Sequence, residues 1–269
     1  MGNKIAAKDW DDAYANSVHI KGSEAMPARW TAEAVAYRAN GLRIDEDVSY
    51  GTAPRETFDL IWPDGPPLGL AVFVHGGYWL ATDKSMWTAF ADGARARGWA
   101  VCLPSYTLAP DARISQITQQ IGAAIACAAA MVAGPIRLAG HSAGGHLVTR
   151  MNCEDQPFVD RLEHTLSISG VHDLRPLMRT KMNDKLGLVR TEADLESPVL
   201  LRPHGGARVT AWVGSHERPE FIRQARLLAM MWDGLGANTQ VHLDQGHDHF
   251  SVIEGLKGAQ SEITNAFVG

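Results

Sequence analysis

The chain has 269 residues, 45% of them hydrophobic and 20% charged, enough to build the core of one large α/β domain. A net charge of -5 and an isoelectric point near 6.1 exclude the basic stripe that a nucleic-acid partner requires. The opening residues lack the apolar run of a secretory leader, and Gly2 lacks the following Ser or Thr of an acylation signal. The least polar stretch, Ile121 to Leu138, is broken by Gly122, Gly134, Pro135 and Arg137, so no membrane span is expected and the expected location is cytoplasmic. Cys102, Cys127 and Cys153 are too widely and irregularly spaced for a disulfide framework or a zinc site and read as buried thiols.

In chain order, residues 1–45 carry Trp10, Tyr14, Trp30 and Tyr37 and are expected to wrap the domain or border its pocket. Glu56 to Trp62 predicts a strand, ended by the turn Pro63-Asp64-Gly65-Pro66-Pro67. Leu70 to Val74 (LAVFV) is continuously apolar, as a strand buried on both faces requires. A helix is predicted over Ser85 to Gly98, a strand over Trp99 to Leu103 and a helix over Ile114 to Val132. Ile136 to Ala139 is a short strand that runs into a glycine-rich turn and another helix. Further strands are predicted at Leu166 to Ile168, Val209 to Val213 and Thr239 to Leu243, with helices over Pro219 to Trp232 and from about Phe250. Residues 173–206 show no period and are expected to form an excursion over the sheet, a cap on the substrate site. The alternation predicts a single α/β domain over 1–269: a mostly parallel, doubly wound sheet of about eight strands with helices on both faces. Its ligand site is expected beyond the carboxyl ends of the strands.

The turn after Ile136 to Ala139 is Gly140-His141-Ser142-Ala143-Gly144, a G-x-S-x-G sequence between strand and helix. Glycines there permit a tight turn that lifts the Ser142 hydroxyl above the sheet as a nucleophile, and the helix N-terminus offers N–H groups to an anionic intermediate. His75-Gly76-Gly77-Tyr78-Trp79 follows LAVFV, where N–H donors for such an oxyanion belong. Gly77, Tyr78 and Ala143 are the predicted donors, and Gly76, Trp79 and Asp173 are expected to border the substrate. A general base is expected beyond the last strand, where His247 and His249 are both candidates. The carboxylate that orients it should precede it in the chain. Glu217 is well placed after the penultimate strand, with Asp173 and Glu220 as rivals.

Together HGGYW, SYTLAP, GHSAGGHL, SGVHDLRPL, VGSHERPEF and DHF resemble the kynurenine formamidases (arylformamidases) and their bacterial esterase relatives, from about Tyr50 to the last helix. The resemblance implies the α/β-hydrolase fold. It also implies that His249, of the DHF element, is the base and that Glu217 occupies the position of the acid. Animal formamidases typically carry aspartate there, a departure that weakens the transfer of substrate identity. The implied activity is hydrolysis of the formamide of N-formylkynurenine, with short-chain ester hydrolysis as the alternative. The expected partner is a small aryl amide or ester, with no cofactor and no metal, and a homodimer is left open.

Two other classes of function are weighed against this. A non-catalytic binding protein on the same fold should have lost a member of the Ser142, Glu217 and His249 set, yet all three residue types stand in chain order. A metal hydrolase built on His242, His247, Asp248 and His249 would crowd its ligands and lacks a helical H-E-x-x-H.

Overall fold

The computed structural model describes residues 8–153 and 156–269, so Gly2 and the acylation reading lie outside it. Its eight strands are β1 (Ile44–Ser49), β2 (Thr57–Ile61), β3 (Leu70–Val74), β4 (Ala100–Pro104), β5 (Ile136–His141), β6 (Leu162–Ile168), β7 (Arg208–Gly214) and β8 (Asn238–Asp244). They form one sheet in the order β1-β2-β4-β3-β5-β6-β7-β8. β1 pairs antiparallel with β2, and β2 antiparallel with β4. Every pairing from β4 through β3 to β8 is parallel. The mostly parallel sheet read from the sequence is therefore present.

The helices are α1 (Trp10–Tyr14), α2 (Met26–Arg38), α3 (Asp92–Ala96), α4 (Ile114–Met131), α5 (Ala143–Arg150), α6 (Asn183–Leu186), α7 (Arg190–Leu195), α8 (Pro219–Asp233) and α9 (Glu262–Val268). Side chains alternate across a strand, and β3 shows what that does here. Leu70, Val72 and Val74 pack with Ile117 and Ile121 of α4, Leu147 of α5 and Phe221 of α8. Ala71 and Phe73 face the opposite layer, with Trp30 of α2, Trp87, Phe90 and Phe267 of α9. Both layers are fully buried, which is why LAVFV needs no polar residue.

Three local expectations change. β1 was not predicted as a strand: no residue of its Ile44-Asp45-Glu46-Asp47-Val48-Ser49 sequence is fully buried at the sheet edge, where charge blunts unwanted pairing. The helix expected over Ser85 to Gly98 is a 3₁₀ segment, Lys84–Ala91, followed by the short α3. Chain termini behave similarly, with a 3₁₀ turn at Ser251–Lys257 before α9 in place of one helix from Phe250. The 173–206 excursion holds α6, α7 and two 3₁₀ turns, and it buries Leu174, Leu177, Leu186, Leu188, Ala193 and Val199 against the domain.

α2 is fixed to the sheet by charge as well as by Trp30. Asp59 of β2 is fully buried and receives Arg38 Nη2 of α2 at 2.5 Å, Lys84 Nζ at 2.6 Å and the Asp47 N–H at 3.0 Å. Three donors on one carboxylate satisfy a charge that would otherwise be prohibitive to bury. Asp59→Ala leaves the buried Lys84 ammonium with only the exposed Asp47 carboxylate, 2.7 Å away, and should cost about 3 kcal/mol in urea unfolding, against an expected change below about 1 kcal/mol for a surface pair.

Candidate active site

Ser142 is the single residue between β5 and α5, with φ 55° and ψ -115°. Its neighbours explain how the chain tolerates that geometry. A Cβ on Gly140 would fall 2.2 Å from the Gly144 carbonyl oxygen, and one on Gly144 would fall 2.0 Å from that of Val74. Both positions therefore demand glycine, and the turn closes only with both in place. The Ser142 N–H donates to the Ile168 carbonyl at 2.8 Å, which locks the turn to β6.

Glu217 and His249 come from the loops after β7 and β8, whose seven paired positions hold those loops side by side. Glu217 Oε2 accepts from His249 Nδ1 at 2.7 Å, with both side chains almost wholly buried. Its Oε1 accepts from the Gly214 N–H at 2.9 Å and from the Ser169 hydroxyl. The carboxylate is thus held on both oxygens, and the imidazole is left with Nε2 as its second nitrogen. Ser142 Oγ makes no hydrogen bond to His249; the two side chains border a common cavity of about 240 Å³. Hydrogen bonds between a nucleophile and its base often tighten only when the substrate is bound.

The loop after β3 forms one wall. His75 Nδ1 donates to the Gly76 carbonyl at 2.8 Å, and the ring stacks on Tyr106 at 4.4 Å. Burial pushes His75 down to about 4, so it stays neutral at physiological pH. Gly77, Tyr78 and Trp79 follow at φ 105°, 53° and 58°. A Cβ on Gly77 would lie 2.4 Å from the Ala81 carbonyl oxygen. Among the described residues no acceptor takes the N–H of Gly77 or Tyr78. Ala143 opens α5, where N–H groups have no intrahelical acceptor.

Several expected residues fall elsewhere. Trp79 is fully buried and packs edge-on to His146 at 5.2 Å, and it does not border the cavity. Asp173 is turned into a bidentate ion pair with Arg175 and also lies outside the cavity wall. Gly76 lies behind the Ser142 turn, where its Cβ would meet the His141 carbonyl at 2.9 Å. Glu220, the rival acid, instead binds Tyr14 and Arg223. The cap expectation also changes: no residue of 173–206 borders the cavity, and Asn16, Ser17, Pro27 and Trp30 of the N-terminal segment do. The residues weighed as metal ligands diverge. His242 stacks on Trp212 at 3.6 Å, His247 is 43% exposed beside Asp244, and Asp248 caps the N–H groups of Phe250 and Ser251.

Ser169, at φ 52°, was missed by sequence reasoning. Its only signal was a hydroxyl residue at the carboxyl end of a central strand. Tyr78 also does more than its backbone suggested, because its hydroxyl donates to the Tyr14 carbonyl at 2.5 Å and so ties the N-terminal segment to the site.

The α/β-hydrolase fold family description matches residues 71–250. Among curated proteins the chain is similar to the kynurenine formamidase of Danio rerio, at 28% identity over 78% of this chain and 76% of that one. The kynurenine formamidase of Drosophila melanogaster is 29% identical over 80% and 77%. Among solved structures, a candidate thioesterase from Silicibacter sp. is 45% identical, with a TM-score of 0.93 over 98% of this chain and 100% of that one. Esterase B of Lactobacillus rhamnosis shares the fold at a TM-score of 0.69 and 16% identity, over 91% of this chain and 92% of that one. The chain belongs to the α/β-hydrolase fold family and is a hydrolase resembling the kynurenine formamidases.

Proposed function

We propose that the chain hydrolyses a small aryl formamide, N-formylkynurenine being the reference substrate, through Ser142, His249 and Glu217. The observation that carries this reading is the buried Glu217–His249 pair at 2.7 Å, opening onto the cavity that Ser142 borders. Ser142 Oγ attacks the formyl carbon while His249 Nε2 takes its proton. Glu217 holds the Nδ1–H tautomer and stabilises the imidazolium; it does not take the proton itself. The tetrahedral oxyanion is received by the N–H groups of Gly77, Tyr78 and Ala143. His249 then protonates the departing amine, and water, activated by the same imidazole, releases formate from Ser142.

The cavity supports an aryl substrate. Pro27, Trp30, Met86, Trp87 and Phe250 give it an apolar, largely aromatic wall, and its small volume suits a one-carbon acyl group beside a single aromatic ring. A second reading, hydrolysis of a short-chain ester or thioester, is favoured by the similarity to the Silicibacter protein. Measuring kcat/KM on N-formylkynurenine, p-nitrophenyl acetate and a short acyl thioester decides between them. The formamide reading expects the first to exceed the others, and a preference for either ester would reverse the assignment.

Ser142→Ala should lower kcat by at least about 10⁴-fold on every substrate. Ser169→Ala removes one of the two donors to Glu217 Oε1, leaving only the Gly214 N–H, and should lower kcat about tenfold with little change in KM, measured in steady-state assays. An effect confined to KM would mean that Ser169 does not act through Glu217.

A further inference from the structure

Asn16 borders the cavity beside Ser142, and the acyl-transfer steps do not use it. The residue is 5% exposed, and its Nδ2 lies 3.2 Å from the Tyr78 hydroxyl. That hydroxyl has one hydrogen, which goes to the Tyr14 carbonyl, so towards Asn16 it can only accept. The carboxamide orientation is thereby fixed, with Nδ2 on Tyr78 and Oδ1 on the other side. Oδ1 is buried and has no hydrogen-bond partner among the described residues. Buried acceptors are rarely left unpaired, and one at the wall of a reactive cavity is a place for a ligand donor.

His141 carries another unpartnered acceptor, on the side of its ring that faces Gly76 behind the Ser142 turn. Its Nε2 lies 2.8 Å from the His249 carbonyl oxygen, which can only accept, so Nε2 carries the hydrogen and Nδ1 the lone pair. Nδ1 is likewise buried without a partner, and burial holds this ring well below its ordinary pKa and hence neutral. Trp87 contributes an unpartnered donor, Nε1. On this wall Asn16 and Trp87 therefore bring one unpartnered acceptor and one unpartnered donor among apolar surfaces, a pattern that suits an aromatic molecule bearing both N–H and carbonyl groups.

We propose that Asn16 is a specificity-determining residue, its Oδ1 accepting a hydrogen bond from an N–H of the leaving arylamine. The site thereby favours N–H-bearing substrates over their ester counterparts. This inference rests on the formamide reading above. A site built to hydrogen-bond its substrate discriminates against analogues that leave its own polar groups unpaired.

The test compares N-formylkynurenine with phenyl formate, which carries no N–H, in wild type, Asn16→Leu, Asn16→Ala and Asn16→Asp. The readout is the ratio of the two kcat/KM values, which a general loss of folding or of Ser142 reactivity leaves unchanged. Asn16→Leu and Asn16→Ala should lower the ratio about tenfold through the KM for N-formylkynurenine. Asn16→Asp, which keeps an acceptor, should bring it back to within about threefold of wild type. Equal losses on both substrates, or an unchanged ratio, would overturn the role of Asn16 while leaving the formamide reading intact. A wild-type enzyme that cleaves only phenyl formate would remove the formamide reading and this inference with it.

Discussion

At Ser142 the chain leaves β5 and enters α5 with no residue to spare, and it takes φ 55° and ψ -115° to do so. A non-glycine residue in that region carries strain of about 1–3 kcal/mol, which persists only where the surroundings over-determine it. Here they do. Gly140 and Gly144 bring α5 against β3 and β5 at distances that exclude any side chain, and the Ser142 N–H is bound to β6. The parallel sheet supplies this clamp, since β3, β5 and β6 are its adjacent central strands. The hydroxyl is lifted out of the core because the backbone beneath it cannot relax.

The remaining groups are arranged around that fixed point by different parts of the fold. β7 and β8 deliver Glu217 and His249 side by side, and Ser169 at the end of β6 orients the carboxylate. The loop after β3 is pinned from within by His75 and Tyr106 and from outside by the N-terminal segment through Tyr78. That segment is itself secured by Tyr14 to Glu220 of α8, and α2 by Arg38 to the buried Asp59. Charged and hydrogen-bonded links far from Ser142 therefore set the shape of its cavity. The small size of that cavity follows from aromatic residues on α2 and on the 3₁₀ segment at Lys84–Ala91 meeting over it.

What the sequence made legible was what is determined locally. The glycines around Ser142 and the HGG run answer to backbone constraints within a few residues, and LAVFV announces a strand buried on both faces. Glu217 could be narrowed by its place after a strand. The two histidines were separated only through family resemblance, whereas the structure distinguishes them by burial: His249 is enclosed against Glu217 and His247 is exposed. Features that depend on distant partners were not legible. Nothing in Asn16-Ser17 indicates that it meets Tyr78, and Ser169 gains its meaning only from a carboxylate 48 residues away. The acidic β1 lacks the apolar alternation by which strands are recognised, because an edge strand does not need it. Asp173 and Trp79 sit in suggestive motifs, yet their side chains are spent on an ion pair and on core packing.

On the proposed mechanism Ser142 carries the acyl group. The direct measurement is stoichiometric inactivation with an aryl phosphonate, followed by intact-mass and peptide mass spectrometry alongside the residual hydrolysis of N-formylkynurenine. One phosphonyl adduct per chain is expected, located on the peptide containing Ser142, with activity lost in proportion to labelling. Full labelling of Ser142 with hydrolysis undiminished, or inactivation with the adduct on another residue, would contradict it.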